Sequence, residues 1–300
     1  MAGEQDALSA GALLPREASN EALEFVHSLA SELSVGGIDL PSFPDVAIRV
    51  QKVLSEDDAD AQRVVRVLGA EPILASRVLA LANSAALNPN SKSIMDLRTA
   101  VTRLGFDALR SAAIGFAMAQ IQRAKAFKGI ERHLSALWQQ SVLIAALCFV
   151  VARRVGKVGP DTAMLAGLLH GVGKLYILTR STRFPALFGD QRTYQQVVRE
   201  WHSNIAKALL ESWHMPDEIV DAVHRHEDAA RDLRGIGAVL ADTLELASLL
   251  ASCREAPQNL AALLQGREAL TRLGLNLEVC QEILVETGEE LAALRDALGH

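Results

Sequence analysis

Apolar residues recur at helical spacing along almost the whole chain, and no stretch shows the apolar–polar alternation of a half-buried strand. Leu74, Val78 and Leu81, for example, lie at positions i, i+4 and i+7 of one helical face. Half of the residues are hydrophobic but only 4% are aromatic, so Leu, Ala and Val must supply most of the core volume. This composition suits packed helices better than sheets. The sequence therefore predicts an all-α fold.

Prolines, glycines and short acidic side chains predict where the individual helices begin and end. Asp60 offers an N-cap carboxylate, Pro72 suits a first helical position, and Gly105 should split a long apolar stretch into two helices. In the first half we expect helices at 21–34, 46–54, 61–68, from 72, at 94–104 and at 106–123. In the second half we expect helices at 130–155, 162–169, 174–179, 193–214 (in two pieces), 216–226, 238–250, 260–264 and 277–298.

The segments outside these helices predict the domain organisation. Residues 1–18 read as a loose leader, and residues 40–44 as an extended connector, because each proline disfavours helix in the residue before it. We expect two packed helical subdomains at 38–125 and 126–250. The early helix should extend this body or mediate self-association. The C-terminal helices of residues 251–300 should pack back on it, because their leucines need burial.

The charge balance argues against a polyanionic partner. The chain carries a formal net charge of −6 at pH 7 and has a sequence pI of about 5.8. Modules that bind nucleic acid usually present a basic face. We therefore expect no nucleic-acid partner, although a nucleic-acid adaptor stays an alternative that predicts a salt-sensitive affinity.

Cysteine usage and the apolar runs predict the compartment. Cys148, Cys253 and Cys280 are far apart and form no CxxC motif, which fits a reducing environment. The first residues lack a basic segment followed by an apolar one, so no secretion signal is expected. The longest apolar run is 142–152, whose 11 residues of helix would rise about 16 Å, roughly half of a bilayer core. We predict a cytoplasmic protein with no membrane partner.

Most of the eight histidines lie in the second half, which raises the question of a metal site. His224 and His226 are two residues apart on one predicted helix, so they point about 200° apart and cannot face one ion. No local chelating pair exists, and any site must be assembled from different helices. The alternative is that each histidine is an ordinary core or surface residue.

The segment 167–174 also resembles a phosphate-binding loop at first sight. That loop requires four residues between its glycines and a Ser or Thr after the lysine. Here five residues separate Gly167 from Gly173, and Leu175 follows Lys174. We interpret the segment as a break between two buried helices.

The same segment carries a family resemblance. Residues 166–175 read AGLLHGVGKL and resemble the GLLHDIGK signature of the HD phosphohydrolase superfamily. Residues 40–47, LPSFPDVA, resemble the opening LPxLPxVA of its HDOD branch, the HD-related output domains. Residues 71–85, EPILASRVLALANSA, resemble that branch's DPxLxxRLLRLANSA.

Further HDOD-like segments follow in the same order. Residues 100–105, AVTRLG, resemble AIxRLG, and residues 137–141, LWQQS, resemble LWxHS. His202, residues 209–213 and residues 222–227 follow the stretch HxxxGxxLLxxWxLPxxIxxAIxxHH. The similarity covers about residues 38–250 and implies an HDOD domain whose second subdomain is an HD-like helical bundle.

The resemblance implies a damaged catalytic site. HD phosphohydrolases hold divalent metal with scattered His and Asp residues centred on an adjacent His-Asp pair, and the metal activates water. Here His170 keeps the histidine, but Gly171 replaces the aspartate and cannot ligate anything. Gln140 stands where catalytic relatives have histidine. Lys174 matches the family's lysine, although without the aspartate we interpret it as a solvated or salt-bridged residue.

The remaining residues complete a residual pocket. In the late His-His pair His226 keeps the first place and Glu227 takes the second. His202 and Asp242, the family's late aspartate, are also present. Three imidazoles with displaced carboxylates could hold zinc loosely, but a competent hydrolytic centre looks dismantled. We expect no catalytic residue, no metal and no cofactor.

The resemblance implies a bacterial signal-transduction output or scaffold domain that acts by protein–protein interaction. Its partner would be a signalling protein supplied in trans, and it could form a homo-oligomer. The alternative is a metal-dependent nucleotide phosphohydrolase that uses His170, His202, His226 and Asp242. Metal analysis and a phosphoester panel separate the two.

Overall fold

A computed structural model gives the fold. It describes residues 16–35, 45–56, 60–84, 88, 93–180, 183–228, 232–254 and 256–298. Every regular element among these residues is a helix, and no strand occurs in them. The predicted all-α fold is therefore confirmed.

Fifteen α-helices are found in the described parts of the chain. The first five are α1 (Arg16–Val35), α2 (Asp45–Leu54), α3 (Ala61–Gly69), α4 (Pro72–Ala82) and α5 (Leu97–Arg123). The next five are α6 (Glu131–Val155), α7 (Pro160–Leu169), α8 (Val172–Thr179), α9 (Pro185–Gly189) and α10 (Gln191–Ser212). The last five are α11 (Asp217–Arg225), α12 (Gly235–Cys253), α13 (Leu260–Leu264), α14 (Glu268–Leu273) and α15 (Leu277–Leu298).

Helices α2, α3 and α4 pack against α5 and form the first half of the body. The side chain of Asp60 accepts a hydrogen bond of 2.6 Å from the backbone N–H of Arg63, which confirms the predicted N-cap of α3. Pro72 is the first residue of α4, as expected. Within α5, Gly105 has a φ of +74° and kinks the helix. The predicted split at Gly105 is thus confirmed, because only glycine adopts this conformation at low cost.

Helix α6 runs through the second half and packs against α7, α12 and α15. The approach to α7 is very close: a Cβ on Gly167 would lie 2.6 Å from the Cα of Ala145. A second close approach joins α8 to α10, where a Cβ on Gly173 would lie 1.9 Å from the carbonyl oxygen of His202. These two glycines let the backbones meet, and so they fix where α7 and α8 lie.

The outer helices close over this core. Helix α15 packs against α6 and α4, and its Cys280, Ile283 and Leu291 are buried. Helix α1 packs against α9 and α10, and the ring of Phe25 meets that of Phe184 edge-on at 5.6 Å. The early helix therefore extends the body.

Several predicted boundaries were wrong. Helix α10 is continuous over Gln191–Ser212, whereas two pieces were expected; no glycine or proline interrupts it. Helix α1 begins at Arg16, inside the predicted leader, and helices α9 and α14 were not predicted at all. Residues 1–15 of the leader and the connector at 40–44 lie outside the described residues.

Three helical stretches are long and apolar enough to cross a membrane by length and composition alone, namely 131–155, 160–179 and 235–253. The 142–152 run thus belongs to a 25-residue helix. The short run suggested that this helix cannot cross a bilayer, but the full helix is long enough to do so. In this fold 89% of the window in 160–179 is buried within the protein, and 67% and 56% of the other two. Packing against other helices accounts for their apolar character.

Candidate functional site

The break between α7 and α8 presents the segment that resembles the HD signature. His170 caps the C-terminal end of α7, and Gly171 immediately precedes α8, which carries Lys174. His202 comes from the middle of α10, and His226 from the end of α11. Because α8 packs against α10 and α10 packs against α11, residues far apart in sequence converge here.

Glu227 lies at the centre of the cluster. One of its carboxylate oxygens accepts a hydrogen bond from the imidazole Nε2 of His202 at 3.1 Å, and the other accepts one from the Lys174 ammonium at 3.4 Å. The Nε2 of His226 lies 3.6 Å from this second oxygen. The hydrogen bond from His202, with the charge of Lys174, holds the pKa of Glu227 well below its usual range. Glu227 is therefore an anion that already has two donors.

His170 and His226 form the buried floor of the cluster, with their rings perpendicular and 6.3 Å apart. Each Nδ1 lies within hydrogen-bonding distance of a carbonyl oxygen: Gly167 at 2.7 Å for His170, and Val223 at 2.9 Å for His226. A carbonyl can only accept, so both Nδ1 atoms carry the proton. Burial lowers the pKa of His170 to about 3 and that of His226 to about 4. Both rings are therefore neutral at pH 7, with a lone pair on Nε2.

Gly171 occupies the place of the family's aspartate, and the space around it is filled. A Cβ built there would lie 3.1 Å from the hydroxyl oxygen of Ser141 and 3.5 Å from a methyl carbon of Leu137. Gln140, where catalytic relatives have histidine, is exposed on α6. Neither position supplies a metal ligand of the HD type.

Asp242 is engaged elsewhere. Its two carboxylate oxygens accept hydrogen bonds of 2.8 Å each from Nε and Nη2 of Arg272, which belongs to α14. The side chain of Asp242 is only 5% exposed. Sequence reasoning missed Arg272, because nothing in the local pattern around it indicates a partner thirty residues earlier.

These residues do not fit the metal centre of an HD phosphohydrolase. Within the described part of the chain, no three His, Cys, Asp or Glu side chains converge in a way that could hold a metal ion. Gly171 contributes no ligand, Asp242 is bound by Arg272, and Glu227 is bound by Lys174 and His202. His202 and His226 do contact Glu227, with His170 packed against His226, but the carboxylates that an HD centre needs are paired with cations, Glu227 with Lys174 and Asp242 with Arg272.

A cleft of about 900 Å³ opens beside the cluster, between the start of α6 and the helices α8 to α10. Its polar lining includes Lys128, Gln140, Lys174, Arg199, His202 and Glu227. Of the predicted pocket residues, Gln140, Lys174, His202 and Glu227 thus face one open space. The buried His170 and His226 lie behind them.

The helical body, with the histidine cluster beneath its α7–α8 break, has an HD-like helical fold. The family profile of the HDOD domain matches residues 40–229, and the chain belongs to this family. No significant match was found among curated proteins.

Solved structures share the fold. A proposed metal-dependent phosphohydrolase from Shewanella amazonensis superposes with a TM-score of 0.72 at 24% identity, over 93% of this chain and 99% of that one. An HDOD domain protein with unknown function from Geobacter sulfurreducens gives 0.62 at 22% identity, over 92% and 99%. A proposed signal transduction protein from Marinobacter aquaeolei gives 0.60 at 24% identity, over 95% and 66%. At these identities the likeness concerns the fold.

Proposed function

We propose that this HDOD protein is a non-catalytic signal-transduction module that acts by binding a signalling protein in trans. The observation that carries the proposal is the absence of the aspartate at Gly171 together with the pairing of Glu227 to Lys174 and His202. Hydrolysis of the HD type needs a metal to activate water. The carboxylates that would hold it here are missing or already bonded.

The comparisons support the signalling part of the proposal. One structural neighbour is described as a proposed signal transduction protein, and the family match covers most of the body. The net charge of −6 and the burial of the long apolar helices favour a protein partner over nucleic acid or membrane. We place the module in the cytoplasm, since its three cysteines are buried thiols.

Metal analysis and a phosphoester panel test the absence of catalysis. The purified chain is loaded with zinc, manganese or iron(II), desalted, and assayed on bis(p-nitrophenyl) phosphate and nucleotides beside the variant His170→Ala. We expect substoichiometric metal and the same background rate in both proteins. Stoichiometric metal with turnover abolished in His170→Ala would overturn the proposal in favour of the phosphohydrolase.

The second candidate function is that metal-dependent phosphohydrolase. Two observations favour it: the contacts of His202 and His226 with Glu227, with His170 packed against His226, and the fold shared with a proposed metal-dependent phosphohydrolase. Converting Glu227 to Gln distinguishes the two. A metalloenzyme would lose metal and activity in this variant. The signalling module would keep its affinity for a purified partner, provided that the variant is still folded.

A further inference from the structure

We infer that the cleft beside the cluster binds a phosphorylated heterocycle, of the nucleotide class, and holds it without turnover. The inference rests on the proposed function, because it assigns the emptied catalytic neighbourhood to ligand sensing. The evidence for it is the set of charged groups, amides and aromatic rings that line the cleft. These groups lie outside the buried floor formed by His170 and His226.

The cleft concentrates positive charge on an acidic protein. Lys128, Lys174 and Arg199 line it, against the single carboxylate of Glu227, although the whole chain has a net charge of −6. The side chains of Lys128 and Arg199 are exposed and form no ion pair or hydrogen bond with any described side chain; Glu131, which does not line the cleft, interacts with Lys128 only through its charge. These two side chains are charged donors that line a concave space and have no hydrogen-bonded partner. Such donors favour an anion, and a guanidinium in particular matches a phosphate.

The walls of the cleft suit a flat, polar-edged ring. Phe188 and Tyr194 lie side by side with their ring centroids 4.9 Å apart, and both line the cleft. The cleft is also lined by Gln140, Gln191 and Gln195. Their side-chain amides form no hydrogen bond with any described residue. An aromatic wall with free amide donors and acceptors can pack against a heterocycle and pair with its edges.

The size and position of the cleft agree with this ligand. A volume of about 900 Å³ is within the usual range of roughly 300–1,000 Å³ for small-molecule sites. An anion that reaches Lys174 would compete with Glu227 for its ammonium group, which lies 3.4 Å from that carboxylate. Ligand binding would thus loosen the link between α8 and the end of α11. The cleft is also bounded by α9, on which α1 packs.

Calorimetry on the full-length protein tests the inference. The probes are the nucleoside 5′-monophosphates, diphosphates and 3′,5′-cyclic monophosphates, their nucleosides, and inorganic phosphate, all with EDTA present. We expect at least one nucleotide to bind at least ~10-fold more tightly than its nucleoside and than inorganic phosphate, since charge-assisted hydrogen bonds are the strong ones.

Matched variants locate the binding. Arg199→Gln and Lys128→Gln should each weaken the nucleotide by about 10-fold, as expected when one charged hydrogen bond is lost. Arg192→Gln is the control, because Arg192 is exposed on the same helix α10 but does not line the cleft. Its affinity should change less than about 2-fold.

Four results would overturn the inference. The first three are no binding by any nucleotide, equal binding of nucleoside and nucleotide, and an affinity unaffected by both Arg199→Gln and Lys128→Gln. The fourth is equal binding of inorganic phosphate, which would reduce the cleft to a simple anion site. Failure of the proposed function is a separate outcome, because it requires formation of a hydrolysis product. Chromatography of the nucleotide after a parallel incubation with divalent metal and without EDTA detects that product.

Discussion

Arg272 of α14 binds both carboxylate oxygens of Asp242 of α12, with two hydrogen bonds of 2.8 Å. The arginine also reaches Glu268 at 2.7 Å. The pair joins the C-terminal helices to the HD-like bundle and neutralises the late aspartate that the family resemblance placed in the metal site. A bidentate pair of this kind fixes both side chains in one geometry.

Replacing Arg272 with Gln should destabilise the protein, because a carboxylate that is 5% exposed loses its bidentate partner. We expect a loss of about 1–2 kcal/mol in the free energy of unfolding, below the usual figure for a fully buried pair since Arg272 is 44% exposed. Urea denaturation measures it. Arg267→Gln is the control, since its contacts with Glu245 at 3.8 Å and with the carbonyl oxygen of Leu263 at 3.3 Å are longer and the arginine is 45% exposed. Equal stability of both variants would contradict a structural role for the Asp242 pair.

Gly173→Ala should disrupt the contact between α8 and α10. The added methyl group would lie 1.9 Å from the carbonyl oxygen of His202, so one of the two backbones has to move. We expect a loss of about 3 kcal/mol or more, which is at the upper end for overpacking. The thermal midpoint followed by circular dichroism reports it.

Gly288→Ala is the matched control for that substitution, because a Cβ at this position in α15 meets nothing within 4 Å. It should leave the stability unchanged or raise it by up to about 1 kcal/mol, as alanine favours helix over glycine. A Gly173→Ala protein as stable as Gly288→Ala would show that α8 does not pack on α10 as described.

Stability should fall as the pH drops below about 6.5. Burial lowers the pKa of His170 to about 3 and that of His226 to about 4, from an ordinary value of 6.5. Between pH 6.5 and these values the unfolded chain takes up protons that the folded protein does not. Each histidine then lowers the free energy of unfolding by up to about 1.4 kcal/mol per pH unit, and this contribution is fully regained above pH 6.5.

His226→Asn tests the pH dependence, since the amide can still donate to the carbonyl of Val223 but does not titrate in this range. The slope of stability against pH between 6.5 and 4.5 should decrease, and urea titrations at several pH values measure it. His133→Asn, at an exposed position, should keep the slope of the original protein. An unchanged slope in His226→Asn would contradict a neutral, buried His226.

Phe25→Ala should weaken the attachment of α1 to the body. The ring is 2% exposed and meets Phe184 edge-on at 5.6 Å. We expect a loss of about 3 kcal/mol, typical of removing a buried aromatic ring. Leu23→Ala on the same helix is the control, because this leucine is 61% exposed and should cost less than about 0.5 kcal/mol. Faster proteolysis of α1 in Phe25→Ala alone would confirm the assignment, whereas equal rates would contradict it.

Local sequence signals predicted most of the helices. The cap at Asp60, the first-turn Pro72 and the kink at Gly105 act within a few residues, so the sequence around each position is enough to recognise them. Helix α1 begins at Arg16, directly after Pro15 in the sequence, a local start signal that the prediction did not use. Helix α10 continues without a break, in agreement with the lack of any glycine or proline within it.

The amino-acid sequence by itself determined the helical class, the family resemblance and the missing aspartate at Gly171, since each depends on residue identity and short-range spacing. Only the tertiary structure decided that Glu227 is held by Lys174, 53 residues away, and Asp242 by Arg272, 30 residues away. Ion pairs between distant helices form only after packing has placed the charges side by side. No local pattern in the chain records which partners will meet.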